Sequence, residues 1–217
     1  MVIYEYNLSF SSSHLGRLLN DKPDLRYSLR LALNRGTYPA HVVTPPTMQY
    51  YVDMYGEQVT VDASGDLARY FSFQSSRGFG ATTIGGIPTL LPALANHPGD
   101  VRPSNTAISV LAEGVAGWYI GTKTSHTGRP FFPQARPVAE APDLVFQDGR
   151  NTVALVQVKG TQEPDIKARM ADSGIPLLQY AFNEMHGTPS SYICFVIGVI
   201  ILHSIDFELH SLQVDIL

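Results

Sequence analysis

The sequence predicts an α/β protein: a mixed sheet flanked by helices, preceded by an N-terminal α+β segment. Three observations point there. The C-terminal half runs in the order helix, hairpin, helix, strand. The run "YICFVIGVIIL", Tyr192–Leu202, is too short and too β-branched to span a bilayer as a helix, and reads as a buried strand. The composition, 44% hydrophobic and 16% charged over 217 residues, is that of a globular chain long enough to bury a core.

At the N-terminus, Val2, Tyr4, Tyr6, Leu8 and Phe10 alternate with Ile3, Glu5, Asn7 and Ser9, which predicts a strand. "PDLRYSLRLALNRG" reads as a helix, with Asp24 near its start, leucines at 25, 29 and 33, and Gly36 to end it. "EQVTVD" reads as a short strand and "SGDLARYFSF" as a short helix or strand. "GFGATTIGGIP" lacks the Gly-Lys-Ser/Thr of a phosphate loop and the Rossmann spacing, so it reads as a loop. The proline-rich "PALANHPGDVRPSN" marks a boundary, giving an N-terminal α+β domain or extension over 1–103 and a second unit over 104–217. There, "SNTAISVLAEGVAGWYIG" is a helix capped by Ser104 or Asn105 and ended by Gly121. Its apolar stripe is Ile108, Leu111, Ala112, Val115 and Tyr119. Gly114 and Gly117 would let another element approach closely. A long connection to about Glu140 follows, then two apolar segments around "DGRN", Asp148–Asn151, a hairpin signal. "EPDIKARMADSG", with Pro164 near its first turn, and "IPLLQYAFNEMHG", closed by Gly187, read as two helices. The 192–202 strand and "SIDFELHSLQVDIL" finish the chain.

The formal net charge of −4 confines any basic surface to a local patch. The single cysteine, Cys194, permits neither an intrachain disulfide nor a cysteine zinc cluster, and reads as a small core residue. The seven histidines have no HExxH spacing, and no Gly-x-Ser-x-Gly elbow occurs. "MVIYEYNLSF" lacks the pattern of a signal peptide, and no stretch reads as a membrane span, so an intracellular location, cytoplasm or nucleus, is expected.

The hairpin carries the chemistry. A tight turn centred on Gly149–Arg150 pairs residues whose numbers sum to about 299 or 300, which sets Asp143 opposite Gln157. Gln157 and Lys159 share a face at spacing two, and the register can add Asp143 to it. Opposed Cβ atoms lie roughly 4.5–5.5 Å apart, close enough for a carboxylate and an amide oxygen to share one cation. A hard cation such as Mg²⁺ takes oxygen ligands and leaves room for water and phosphate. Lys159 could orient or deprotonate a bound water, or steady developing charge on phosphorus. The alternative is the wet face of an ordinary edge hairpin. Against it, Val153, Leu155, Val156 and Val158 make the second strand apolar on both sides, where a lysine needs a reason.

"PDLVF…VALVQVKGT" resembles the PD-(D/E)XK nuclease superfamily, with Pro142-Asp143 followed by Gln157-Val158-Lys159 on the next strand. The resemblance spans roughly residues 104–202, and Gln157 stands where the family usually has an acid. It implies a restriction-endonuclease-like fold and hydrolysis of phosphodiester bonds, with DNA the expected substrate. It also implies Mg²⁺, or Mn²⁺ as a substitute, held by Asp143, Gln157 and the backbone carbonyl of Val158. By the same resemblance Glu113, on the helix before the hairpin, adds a metal contact; read from the helix alone, it is equally a solvated acid. From Gly114 through Ala139 no acidic residue occurs, and Lys123, His126, Arg129 and Arg136, with Phe131 and Phe132 among them, could track phosphates and stack on bases. Lys167 and Arg169 could add phosphate contacts or be surface charges. The rival expectation is a catalytically silent module of this fold that binds nucleic acid or a protein partner; many proteins of this fold dimerise, which raises a homodimer or larger assembly.

Overall fold

The computed structural model describes residues 1–7, 29–30, 40–56, 67, 103–126, 131–134, 142–185, 191–202 and 206–216. Eight strands form one mixed sheet: β1 (Val2–Asn7), β2 (Leu29–Arg30), β3 (His41–Val42), β4 (Phe131–Gln134), β5 (Leu144–Asp148), β6 (Thr152–Thr161), β7 (Ser191–Ile201) and β8 (Phe207–Ile216). Their order is β3-β1-β8-β7-β6-β5-β4, with β2 on β8. β6 runs parallel to β7, and β1 parallel to β8; the other pairs are antiparallel. Three helices complete the described architecture: α1 (Pro45–Tyr55), α2 (Asn105–His126) and α3 (Lys167–Met185).

The sheet is buried on both faces, which is why β6 and β7 are apolar at nearly every position. On one face Ile3, Phe146, Val156, Ile197 and Leu209 pack under α2, and Met48 and Val52 of α1 join the same core. On the other, Leu155, Cys194, Val196 and Leu212 pack under Ile166, Met170, Leu177 and Leu178 beside and along α3. The expected α/β class is observed. The boundary after residue 103 does not set the described N-terminal segments apart: β1 and β3 extend the same sheet and α1 shares the core of α2.

Several expectations are corrected. Leu29 and Arg30, placed in a helix by leucine spacing, are strand, paired with Ile216 and Asp215 of β8; the rest of that stretch, "EQVTVD" and the 78–88 loop lie outside the described residues. β1 forms over Val2–Asn7 as the alternation predicts, with Ile3 and Glu5 inward and Tyr4 exposed. α2 begins as expected, Ser104 Oγ accepting from Ala107 N–H at 3.3 Å, but continues through Gly121 to His126. The helix is buried around most of its circumference because α1 lies on its outer side. A Cβ at Gly114 would fall on Val52, and one at Gly117 on the Tyr55 ring, so these glycines admit α1. No helix was expected at α1, although Thr44 caps it and prolines occupy its first turn. The two helices expected after the hairpin are one, α3, with Pro176 inside and exposed. Ser173 Oγ donates to Arg169 O at 2.7 Å one turn earlier, and packing of the apolar face outweighs the backbone bond that proline removes. Pro164 precedes the helix, and Gly187 lies outside the described residues. The long connection before the hairpin contains β4 as an edge strand. Among the described residues no helix is long and apolar enough to cross a membrane.

Candidate functional site

The hairpin loop has three residues, Gly149, Arg150 and Asn151, rather than a tight turn centred on two. Asn151 takes the left-handed conformation at φ 65°, and Asp148 Oδ1 accepts from Arg150 N–H and Thr152 N–H, each at 2.8 Å. This fixes the register: Leu144 pairs with Val156, Val145 with Leu155 and Phe146 with Ala154. Each pair sums to 300, and the count carries Asp143 to Gln157.

β5 begins at Leu144, whereas β6 continues to Thr161 beside β7. Among the described residues, the last half of β6, after Val156, therefore has no strand on its β5 side. Asp143 sits at the mouth of this notch. Its N–H donates to Val156 O at 2.9 Å. Its Oδ2 accepts from Val158 N–H at 2.6 Å and from Gln157 Nε2 at 2.5 Å. A strand N–H lies in the plane of the sheet, so the carboxylate sits at the sheet edge rather than on one face. In extended backbone the N–H and C=O of one residue point the same way; the Val158 carbonyl therefore opens toward the same notch.

Glu113 reaches the site from α2. The helix lies close to β6 because residue 160 is glycine: a Cβ there would be 2.7 Å from Ile108 O and 2.9 Å from Ala112 Cβ. Glu113, next to Ala112, is half-buried rather than solvated. Its carboxyl is pushed up to about 7, first by burial and second by the negative charge of Asp143. The two acids thus share one electrostatic environment although they come from different elements.

On the α3 face of β6, next to Asp143, two polar side chains have no partner among the described residues. Gln157 is 4% exposed, and its Oε1 is buried with no hydrogen-bond partner. Lys159 is half-buried, and among the described residues no hydrogen bond or ion pair engages it. Its neighbour in register on β7 is Gly198. An orphaned buried acceptor costs about 1–3 kcal/mol unless something binds it. Two carboxylates, an amide oxygen and a main-chain carbonyl suit a hard divalent cation. Among the described residues no group of three or more His, Cys, Asp or Glu side chains gathers, so such a cation would rely on the neutral oxygens as well as on Asp143 and Glu113.

The expected nucleic-acid residues are less fully placed. Lys123 and His126 fall in the last turn of α2; their side chains, and all of Arg129 and Arg136, lie outside the described residues. Phe131 packs against the core and Phe132 is 56% exposed. Arg169 pairs with Glu163 at 2.6 Å on the surface.

A second polar cluster went unread in the sequence. Glu5, 2% exposed, accepts from Tyr119 O–H at 3.1 Å through Oε1 and lies 3.2 Å from His41 Nε2 through Oε2. Tyr119 also bonds Ser211 Oγ at 3.2 Å, and His41 meets the Trp118 ring edge-on at 5.5 Å. The one signal in the sequence was that Glu5 alternates in step with Ile3.

Compared with protein-family models, curated proteins and solved structures, the chain matches none.

Proposed function

We propose that the chain is a metal-dependent nuclease of the PD-(D/E)XK kind, with a restriction-endonuclease-like core, acting on phosphodiester bonds in nucleic acid, DNA foremost. The observation that carries this reading is the Asp143 carboxylate at the end of β5, held by Val158 N–H and the Gln157 amide and near enough to Glu113 for its charge to raise that carboxyl. Asp143, Glu113, Gln157 Oε1 and the Val158 carbonyl would hold one face of a Mg²⁺ or Mn²⁺ ion. Such an ion polarises a phosphate and lowers the pKa of bound water. Lys159, half-buried on the same strand, would orient such a water or steady charge building on the phosphate oxygens. Basic side chains from Lys123, His126, Arg129 and Arg136 would follow the backbone of the substrate.

The test is cleavage of single- and double-stranded DNA and of RNA with Mg²⁺, with Mn²⁺ and with EDTA. Cleavage that needs the metal, and falls by on the order of 100-fold or more in Lys159→Ala, is the expected result. Two observations favour the silent-module reading: Gln157 stands where the resembled family usually has an acid, and the formal net charge is −4. That reading gains if no cleavage occurs, Lys159→Ala leaves nucleic-acid affinity intact, and neutralising Lys123, Arg129 and Arg136 abolishes it.

A further inference from the structure

β3 is two residues long and forms one edge of the sheet. Its ladder to β1 pairs Val42 with Val2 and His41 with Ile3, and Val43 N–H donates to Met1 O at 3.1 Å just beyond. So short a strand gains little from backbone pairing alone. Yet it leads directly into α1: Val43 is buried, Thr44 caps the helix, and Met48 and Val52 of that helix join the core of α2. What fastens β3 through a side chain is His41. Its Nε2 lies 3.2 Å from Glu5 Oε2, and its ring meets that of Trp118 at 5.5 Å. The Glu5 side chain is 1% exposed and that of His41 31%. The acid is sealed in, and the base has a path to solvent.

We infer that the His41–Glu5 contact is a pH-operated latch, which holds β3 and the start of α1 to the sheet while His41 carries a proton and loosens them when the proton leaves. Histidine is the side chain that changes charge near neutral pH. With His41 protonated, a charge-assisted bond joins imidazolium to carboxylate. With His41 neutral, the carboxylate keeps its bond from Tyr119 O–H but faces no charge from β3. Parting a buried carboxylate from an opposite charge is costly. The groups that face His41 among the described residues are Glu5 from β1 and Trp118 from α2, with Tyr119 and Ser211 behind the carboxylate. Of these, Glu5 alone is of a type that carries charge near neutral pH. The stabilisation is therefore complete while His41 is protonated and Glu5 ionised, and it is lost as pH rises through the range in which histidine gives up its proton. The latch stands whether or not the chain cuts nucleic acid.

Trp118 is the chain's only tryptophan, so its fluorescence reads the charge on the imidazole beside it. The experiment follows the emission of the full chain from about pH 5 to about pH 8, with amide hydrogen exchange at the two ends of that range. One emission transition is expected, absent in His41→Gln and displaced to lower pH in Glu5→Gln. Protection of Val43 N–H, corrected for the intrinsic exchange rate, is expected to fall about tenfold or more at the higher pH while the β7 amides keep theirs. A transition that survives in His41→Gln would place the titrating group elsewhere. Val43 protection that does not change with pH would show that His41 fastens nothing. Either result overturns the latch. Should a variant not fold, exchange in the wild type decides: a loss confined to β3 and the start of α1 supports the latch, and a loss spread evenly through β7 overturns it.

Discussion

Two polar clusters lie near opposite ends of the sheet, one around Glu5 and one around Asp143, and they differ in one respect. At the β1 end, the Glu5 carboxylate has Tyr119 on one oxygen and His41 on the other, and Tyr119 continues to Ser211. At the β5–β6 end, Asp143 is held by Val158 N–H of β6 and by Gln157, but among the described residues Gln157 Oε1 has no hydrogen-bond partner and no hydrogen bond or ion pair engages Lys159. A buried polar network with its bonds made ties elements together. One with an orphaned acceptor and two acids in mutual repulsion is a candidate for binding a ligand. The first cluster joins β1, β3, α2 and β8; the second is the one the proposed function assigns to the metal.

The sharpest way to break this comparison is Asp143→Asn, which keeps an oxygen for Val158 N–H and removes the charge. Mn²⁺ affinity is expected to fall on the order of 100-fold or more, with the urea midpoint nearly unchanged. An equal loss of stability would make Asp143 structural, like Glu5. The reciprocal change is Glu5→Ala. It strands Tyr119 and His41, and is expected to cost about 2–4 kcal/mol in chemical denaturation while Mn²⁺ affinity stays within about twofold of wild type. A variant that lost metal binding without losing stability would exchange the roles of the two ends.

The smallest effect concerns Glu113. Its carboxyl is raised in the folded chain to about 7 from 4.5, so ionising it opposes folding. That penalty is absent below the unfolded value, grows as pH rises from about 4.5 to about 7, and is constant above. In metal-free buffer, Glu113→Gln is expected to stabilise the chain by on the order of 1–2 kcal/mol at pH 8, discounted for partial exposure, and to be near neutral at pH 4. Denaturation curves at the two pH values check it. A stabilisation that is the same at both, or larger at pH 4, would mean that burial and the Asp143 charge do not raise the Glu113 carboxyl in the folded chain.

Much of the hairpin was legible because local signals agreed. The "DGRN" turn, β-rich flanks and side-chain alternation leave few registers, and the one adopted sets Asp143 against Gln157. What was not legible depended on partners distant in sequence. That Asp143 would lie at the sheet edge, bound to Val158 N–H, follows from β5 stopping short of the end of β6, which residue types do not state. Glu113 looked solvated because its stripe was judged without α1 and without Gly160, the two features that draw α2 close. Leu29 and Arg30 have leucine spacing fit for a helix, yet the end of β8 claims them as strand. Glu5 was one polar residue of an alternating strand, and its partners Tyr119 and His41 are distant in sequence.

The most direct test of the central claim is anomalous diffraction from a crystal soaked in Mn²⁺. The account predicts a single peak at the open edge of β6, within coordination distance of Asp143, the Val158 carbonyl and Gln157 Oε1, with Lys159 in reach of a water bound to it. An empty notch at millimolar Mn²⁺, or a peak on other residues, would contradict it.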